Sequence, residues 1–162
     1  MKEGLAQIVD DVSKLIVVIE SAFDGVKLGN GTGLHEAQGM DDWTDAETCA
    51  KLREKDEKDD WRKLSPDLIN SPHGGLTFMD AEGFRFHLPA FLIAELRGND
   101  RCSTVFNLTR ISDPLENQFR LLTKEQCLAV RWFLFHLLAK DEYEFDRSDI
   151  LRALDTIWTR EN

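Results

Sequence analysis

The chain has 162 residues, of which 42% are hydrophobic and 31% charged, and its formal net charge is -10. A chain of this length can bury one sizeable core, so we predict a single domain over residues 1–162. The excess of acidic side chains repels a phosphate backbone, which disfavours nucleic acid as a partner. The sequence shows neither a secretory signal nor an apolar stretch of about 20 residues, so we predict a cytoplasmic protein without a membrane partner.

The cysteines are widely spaced, at Cys49, Cys102 and Cys127. Their number is odd, and no two of them form a Cys-x-x-Cys pair. This pattern disfavours both a disulfide framework and a zinc site.

The first predicted element is a long amphipathic helix. Apolar residues recur at helical spacing from Leu5 to Val26, and charged residues occupy the other faces. We expect the helix to end near Asp24 and Gly25, because glycine accepts the left-handed conformation that closes a helix. The glycine-rich stretch at residues 29–33 predicts a flexible loop.

An acidic segment follows at residues 36–60, which contain ten acidic and four basic side chains. Thr44 precedes acids that suit the positive end of a helix, so we predict a solvated helix from there to about Lys58. Trp61 is expected to anchor the chain beyond this helix. A further short helix is predicted to begin at Ser65, because a proline follows it.

Residues 76–88 alternate apolar and polar side chains, which is the period expected of a half-buried hairpin. Residues 80–83 would form its turn. Gly83 would adopt the positive φ of a bulged hairpin loop, so Gly83→Ala would be costly. We also predict a helix that starts at Pro89 and ends at Gly98 and a third short strand over residues 103–108.

Two further helices complete the predicted fold. Thr123 and Gln126 match a capping box at the start of an apolar helix near residues 124–140, and such a helix belongs at the centre of a protein. A final helix is predicted from Arg147 to Thr159. The predicted fold class is therefore α+β, a single domain of about five helices around a small antiparallel sheet built on the hairpin at 76–88.

Two blocks of the sequence resemble a known family. They are LHEA at residues 34–37 and LTFMDAEGFRFHLPA at residues 76–90. Both are similar to blocks of a bacterial domain-of-unknown-function family of short cytosolic proteins, and the likeness covers roughly residues 5–140. The resemblance implies no activity, cofactor or catalytic residue. His87 departs from the family pattern, in which a tyrosine is expected.

One functional hypothesis is a hard-cation or hydrolytic site. It would use His35, Glu36, Asp41 and Asp42, because imidazole and carboxylates converge in many metal centres. The competing interpretation is a loop histidine next to helix-capping acids. The His35-Glu36 pair lacks the second histidine four residues later that would place two imidazoles on one metal. A small metal-dependent hydrolase is therefore the alternative, and our primary prediction has no metal, no cofactor and no catalytic residue.

The acidic segment is the primary candidate for function, because aromatic anchors inside a charged rim are the usual anatomy of a binding patch. The predicted binding residues are Asp41, Asp42, Trp43, Asp59, Asp60 and Trp61. We predict a non-catalytic, acidic, cytosolic binding protein whose partner is a basic protein, in concrete form a toxin-neutralising, immunity-type inhibitor. The competing interpretation is a solvated face with both tryptophans in the core. The sequence leaves the oligomeric state open.

Overall fold

The computed structural model describes residues 11–71, 75–99, 104–110 and 118–159. The regular structure in these ranges is helical, and no strand occurs in them. The α-helices there are α1 Val12–Ala22, α2 Leu34–Asp41, α3 Ala46–Arg53, α4 Pro66–Ile69, α5 Ala81–Leu96, α6 Thr104–Thr109, α7 Lys124–Leu138 and α8 Arg147–Thr156. Short 3-10 helices lie at Trp61–Lys63, Leu76–Phe78 and Asp141–Asp146. The α+β prediction is therefore wrong, and the described part of the chain has an all-α fold.

The hairpin predicted at residues 76–88 does not form. A 3-10 helix at Leu76–Phe78 is followed by α5, which begins at Ala81. The alternation of apolar and polar residues is misleading because α5 is buried on nearly every side. Phe86 and His87 are neighbours in the chain, and both are fully buried. When opposite faces are both buried, neither a helical nor a strand period separates inside from outside.

The predicted hairpin turn is the start of α5. Asp80 is the N-cap of this helix, and its carboxylate accepts a hydrogen bond from the Gly83 N–H at 2.8 Å. Gly83 does not have a positive φ. Pro89 lies in the middle of α5 and not at a helix start. The strand predicted at residues 103–108 is also wrong, because residues 104–108 belong to α6, while Ser103 lies outside the described residues.

Several predicted helix ends are confirmed. Gly25, just beyond α1, has a φ of 69°, and Gly98, just beyond α5, has a φ of 70°. Thr123 and Gln126 form the predicted capping box at the start of α7. The part of the first predicted helix before residue 11 lies outside the described residues, as does Cys102.

The helices α5 and α7 provide the centre of the core. Helix α1 packs against both of them, and α8 packs against α6 and α7. Large side chains that are fully buried include Leu15, Ile19, Phe23, Phe84, Phe91, Phe133 and Trp158. The central position predicted for the apolar helix near residues 124–140 is confirmed. Each helix in the described ranges is too short or too polar to cross a membrane.

Candidate functional site

Two segments that are distant in sequence meet at the first turn of α5. The glycine loop, defined as residues 29–33, crosses this turn, and the Thr32 N–H donates to the Asp80 carboxylate at 3.0 Å. A Cβ on Gly31 would lie 2.4 Å from the Gly83 nitrogen, and a Cβ on Gly83 would lie 2.3 Å from the Thr32 carbonyl oxygen. Backbone can approach backbone this closely only where side chains are absent. The loop thus brings the LHEA and LTFMDAEGFRFHLPA blocks together.

Asp56 holds the N-terminus of α2, because the helix's own N-cap, Gly33, has no side chain. The Asp56 carboxylate accepts hydrogen bonds from the backbone N–H groups of His35 at 2.8 Å and Glu36 at 3.3 Å. It also lies 2.9 Å from the Nδ1 of His35. The Asp56 side chain is 2% exposed. A Cβ on Gly33 would lie 2.0 Å from its Oδ2, so this cap requires glycine at position 33.

Arg53, at the end of α3, ties the glycine loop to α2. Its guanidinium donates to the Gly29 carbonyl at 2.9 Å and also to the Gly31 carbonyl. The same group pairs with the Glu36 carboxylate at 3.1 Å, and both side chains of this pair are largely buried. The loop that we predicted to be flexible is therefore held in place by an arginine at two of its carbonyl groups.

His87 is a buried histidine in α5, close to the glycine loop. Its Nδ1 lies 2.7 Å from the Gly83 carbonyl oxygen, which identifies Nδ1 as the protonated nitrogen of the neutral ring. Its Nε2 is buried and has no hydrogen-bond partner in the described part of the chain. Burial lowers the pKa of His87 to about 4, although the Gly83 carbonyl and the Asp56 and Asp80 carboxylates oppose this shift. His87 is therefore neutral at neutral pH.

The residues proposed for a hydrolytic site lie at opposite ends of α2. His35 and Glu36 are in its first turn, whereas Asp41 and Asp42 are at its other end, about 9 Å away along the helix axis at the usual rise per residue. No group of three or more His, Cys, Asp or Glu side chains in the described ranges is placed to hold a metal ion. The arrangement best suited to chemistry is the partly exposed His35 imidazole, which the buried Asp56 carboxylate orients. This geometry suits a general base.

The residues proposed for the binding patch do not share one environment. Trp61 is 3% exposed, and its indole N–H donates to a backbone carbonyl of the core at 3.0 Å. Asp59 pairs with Lys27 at 3.2 Å. Asp60 accepts a hydrogen bond from the Arg62 N–H at 3.1 Å and caps the 3-10 helix at Trp61–Lys63. Trp61 therefore belongs to the core and is not an exposed aromatic anchor.

Trp43 has the opposite environment, because its side chain is 94% exposed. It follows the end of α2, where the Trp43 N–H donates to the Met40 carbonyl at 3.2 Å and the Thr44 N–H donates to the Gly39 carbonyl at 3.0 Å. These two hydrogen bonds define a Schellman motif, in which the residue after the C-cap is left-handed and is usually glycine. Trp43 has a φ of 56°, and no other non-glycine residue in the described ranges has a positive φ.

The turn that carries Trp43 is closely packed. A Cβ on Gly39 would lie 2.6 Å from the Cδ1 of Leu52, so α2 and α3 touch here. The Thr44 hydroxyl donates to the Gly39 carbonyl at 3.0 Å. Asp45 caps α3 by accepting the Thr48 N–H at 2.8 Å, and this hydrogen bond lowers the pKa of Asp45. Trp43 therefore stands on a fixed backbone between two capped helix ends.

Acidic side chains surround this tryptophan in the sequence. We define the Trp43 patch as Met40, Asp41, Asp42, Trp43, Asp45 and Glu47. Glu47 pairs with Lys51 at 2.7 Å, and both of these side chains are well exposed. Met40 is also exposed. The patch thus combines an exposed aromatic ring, an exposed thioether and several carboxylates, which suits a cationic ligand.

The sequence model of a family of unknown function, DUF6714, matches residues 11–162. The chain belongs to this family. No curated protein and no solved structure matches the chain. Membership of a domain-of-unknown-function family, which the two sequence blocks imply, is therefore confirmed for this DUF6714 protein, and its bacterial origin stays a prediction.

Only part of the site of this DUF6714 protein is predictable from its sequence. The roles of Asp56 and Arg53 are not predictable, because each is one of many charged residues in an acidic segment. Each also contacts residues some 20 positions away in the sequence. Trp43 is found as an aromatic anchor, but its left-handed backbone is not. The signal that could reveal it is an aromatic residue placed directly between a helix end and the Thr44-Asp45 start of the next helix, where glycine is usual.

Proposed function

We propose that this DUF6714 protein binds a basic protein partner through the Trp43 patch. The observation that carries the proposal is the backbone of Trp43, which is left-handed at a position that usually takes glycine. This conformation costs a residue with a side chain about 1–2 kcal/mol. Because the ring is almost fully exposed, it gains little burial energy in return. Neither the backbone conformation nor the exposed ring favours folding. A contact with another molecule is therefore the better explanation for a tryptophan at position 43.

The chemistry of the patch favours a cationic partner. A tryptophan face is the best aromatic site for a lysine or arginine side chain, and such a contact is worth about 0.5–2 kcal/mol. Tryptophan is also enriched among residues that dominate binding energy. The net charge of -10 attracts a basic surface over a longer range and raises the encounter rate. A toxin-neutralising, immunity-type inhibitor that covers a basic active site is the concrete form of this function.

The test begins with the tagged protein, purified together with its partners from the cells that produce it. Basic partners are identified by mass spectrometry and then purified. Their affinity is measured by calorimetry for the unmodified chain, for Trp43→Gly and for the double variant Asp41→Asn/Asp42→Asn. We expect both variants to bind at least about tenfold more weakly. If the partner is a toxin, its activity should be inhibited by the unmodified chain and not by Trp43→Gly.

Phe145 provides the matched control. It is also 94% exposed, and it lies in the acidic 3-10 helix at Asp141–Asp146. Phe145→Ala removes an exposed aromatic ring from a similar setting, so it should leave the affinity unchanged. Because Trp43→Gly relieves strain, it should fold at least as well as the unmodified chain, and a thermal melt checks this. Equal affinity for the unmodified chain and Trp43→Gly would refute the proposal.

The second candidate function is a small metal-dependent hydrolase centred on His35 and Glu36, without Asp41 and Asp42, which lie at the other end of α2. Its support is the His35 imidazole, which Asp56 orients at 2.9 Å. Metal analysis of the purified protein separates the two functions. Stoichiometric metal that is lost in His35→Ala and retained in Trp43→Gly would favour the hydrolase.

A further inference from the structure

A concave surface that shares no residue with the Trp43 patch lies between α4, α5 and the 3-10 helix at Trp61–Lys63. It is a cleft of about 170 Å³. The apolar residues that line it are Trp61, Leu64, Pro66, Ile69, Ala90, Ile93 and Ala94. The two alanines leave room on the surface of α5 because they are one helical turn apart, on the same face of the helix. Seven of the eleven residues that line the cleft are apolar, and the other four add polar surface.

The rim of this cleft carries two arginines, although the whole chain is acidic. Arg62 and Arg97 line it, and Glu20 is the one acidic residue in its lining. The Arg62 guanidinium lies 4.6 Å from the centroid of the Trp61 ring. It also donates to the Asp24 carboxylate at 2.9 Å. Arg62 is thus held in place, and the exposed Arg97 is the cation that can turn toward a ligand.

We propose that this cleft binds a small aromatic monocarboxylate, with its ring in the recess and its carboxylate on Arg97. An enclosed cavity of about 150 Å³ accommodates a benzene molecule, so this open cleft has the volume for one six-membered ring with one edge in solvent. Arginine presents two parallel N–H groups that match a carboxylate. The proposal is independent of the Trp43 patch, because the two surfaces share no residue.

The test is an NMR titration of the nitrogen-15-labelled protein with benzoate, and benzyl alcohol is the neutral probe of similar size. Benzoate should cause saturable shifts of the backbone amides of Ala90, Ile93 and Ala94. Benzyl alcohol should bind about tenfold more weakly, because it lacks the charge that arginine recognises. Arg97→Gln should weaken benzoate binding by about the same factor and leave benzyl alcohol binding unchanged.

Two further variants sharpen this test. Arg152→Gln removes an exposed arginine of α8 that does not line the cleft, so it should leave benzoate affinity unchanged. Ala94→Phe should fill the recess and abolish the binding of both probes; a thermal melt shows whether it folds. Arg97→Gln changes an exposed residue, so the test stands even if Ala94→Phe unfolds.

Three results would overturn the proposal. The first is the absence of saturable benzoate shifts at the lining residues of α5. The second is equal affinity for benzoate and benzyl alcohol, which would remove the role of the carboxylate. The third is much tighter binding of N-acetyl-phenylalanine than of benzoate, which would identify the cleft as a site for a peptide C-terminus.

Discussion

At the residue scale, the Asp56 carboxylate leaves room only for glycine at position 33. A Cβ at this position would lie 2.0 Å from the Oδ2 of Asp56. Gly33→Ala should therefore displace Asp56 from the N-terminus of α2 and leave a buried charge without its hydrogen bonds. We expect the free energy of unfolding, measured by urea denaturation, to fall by about 2–4 kcal/mol.

Gly75 gives the matched control for this prediction. A Cβ on Gly75 would have its nearest neighbour at 3.9 Å, and Gly75 does not have a positive φ. Gly75→Ala should therefore change the free energy of unfolding by less than about 0.5 kcal/mol. Equal effects of the two substitutions would contradict the close contact between Gly33 and Asp56.

His87 should make the stability of the protein depend on pH. Its pKa is 6.5 when exposed and about 4 in the folded protein, where burial disfavours the charged ring. Between these two values, as the pH falls, the unfolded chain takes up a proton that the folded protein does not. The free energy of unfolding should therefore fall by about 1.4 kcal/mol per pH unit, or roughly 3 kcal/mol in all.

The substitution His87→Leu separates this effect from other titrations. It should remove the loss of stability between pH 6.5 and about pH 5, measured by urea denaturation across that range. Backbone hydrogen bonds lower the pKa of Asp11 and Asp45 from 3.8 and that of Glu57 and Glu125 from 4.5, so the stability that these carboxylates contribute is lost mainly below about pH 5. The same pH dependence in His87→Leu and in the unmodified protein would show that His87 is not the group responsible.

At the element scale, α2 depends on a cap that comes from elsewhere in the chain. Asp56→Ala removes the acceptor for the N–H groups of His35 and Glu36. The loss of a helix cap costs about 0.5–2 kcal/mol, and we expect the upper end of this range because the site is buried. Hydrogen exchange should accelerate at these two amides first.

Asp45 provides the comparison, since it caps α3 through the Thr48 N–H. Asp45→Ala should accelerate exchange at the start of α3 and leave the amides of His35 and Glu36 protected. If Asp56→Ala left exchange at the start of α2 unchanged, the long-range cap would not exist in solution.

The elements that sequence analysis predicts correctly are those with local signals. The capping box of Thr123 and Gln126 and the glycines that close α1 and α5 act through neighbouring backbone groups, so their residue types are informative. Helix α5 has no such signal in its interior. Its sides are nearly all buried, and the alternating Phe84 and Phe86 resemble a strand although both are fully buried in a helix.

The candidate site is less predictable than the elements because its contacts are long-range. Arg53 contacts carbonyl groups of the glycine loop, and Asp56 contacts the start of α2. The spacing of these residues in the sequence does not indicate that they are in contact. The exposure of Trp43 and the burial of Trp61 depend on the tertiary fold in the same way, although both tryptophans lie beside acidic residues in the sequence.

At the scale of the whole molecule, charge is unevenly distributed. The net charge is -10, and residues 36–60 hold ten acidic and four basic side chains, including the acids of the Trp43 patch. The cleft beside α5 has two arginines and one glutamate in its lining. The Trp43 patch and this cleft share no residue, so the proposed basic macromolecule and the proposed small anion would bind without direct competition.

This charge distribution leads to a kinetic prediction for the basic partner. Long-range attraction acts before contact, so the association rate constant should fall at least about tenfold as NaCl rises from about 20 mM to about 500 mM. The double variant Asp41→Asn/Asp42→Asn should show a weaker salt dependence. Trp43→Gly removes an anchor that acts only after contact, so it should leave association within about twofold and accelerate dissociation at least about tenfold.

Surface plasmon resonance with the purified partner measures both rate constants over this salt range. Phe145→Ala should match the unmodified chain in both, because it changes neither the charge nor the Trp43 patch. An association rate that does not respond to salt would mean that the partner is not recognised by its positive charge. A Trp43→Gly variant that slowed association without accelerating dissociation would mean that the ring guides the encounter and does not anchor the complex. The fixed position of Trp43 between two capped helices argues against this outcome, because a rigidly held ring suits an anchor.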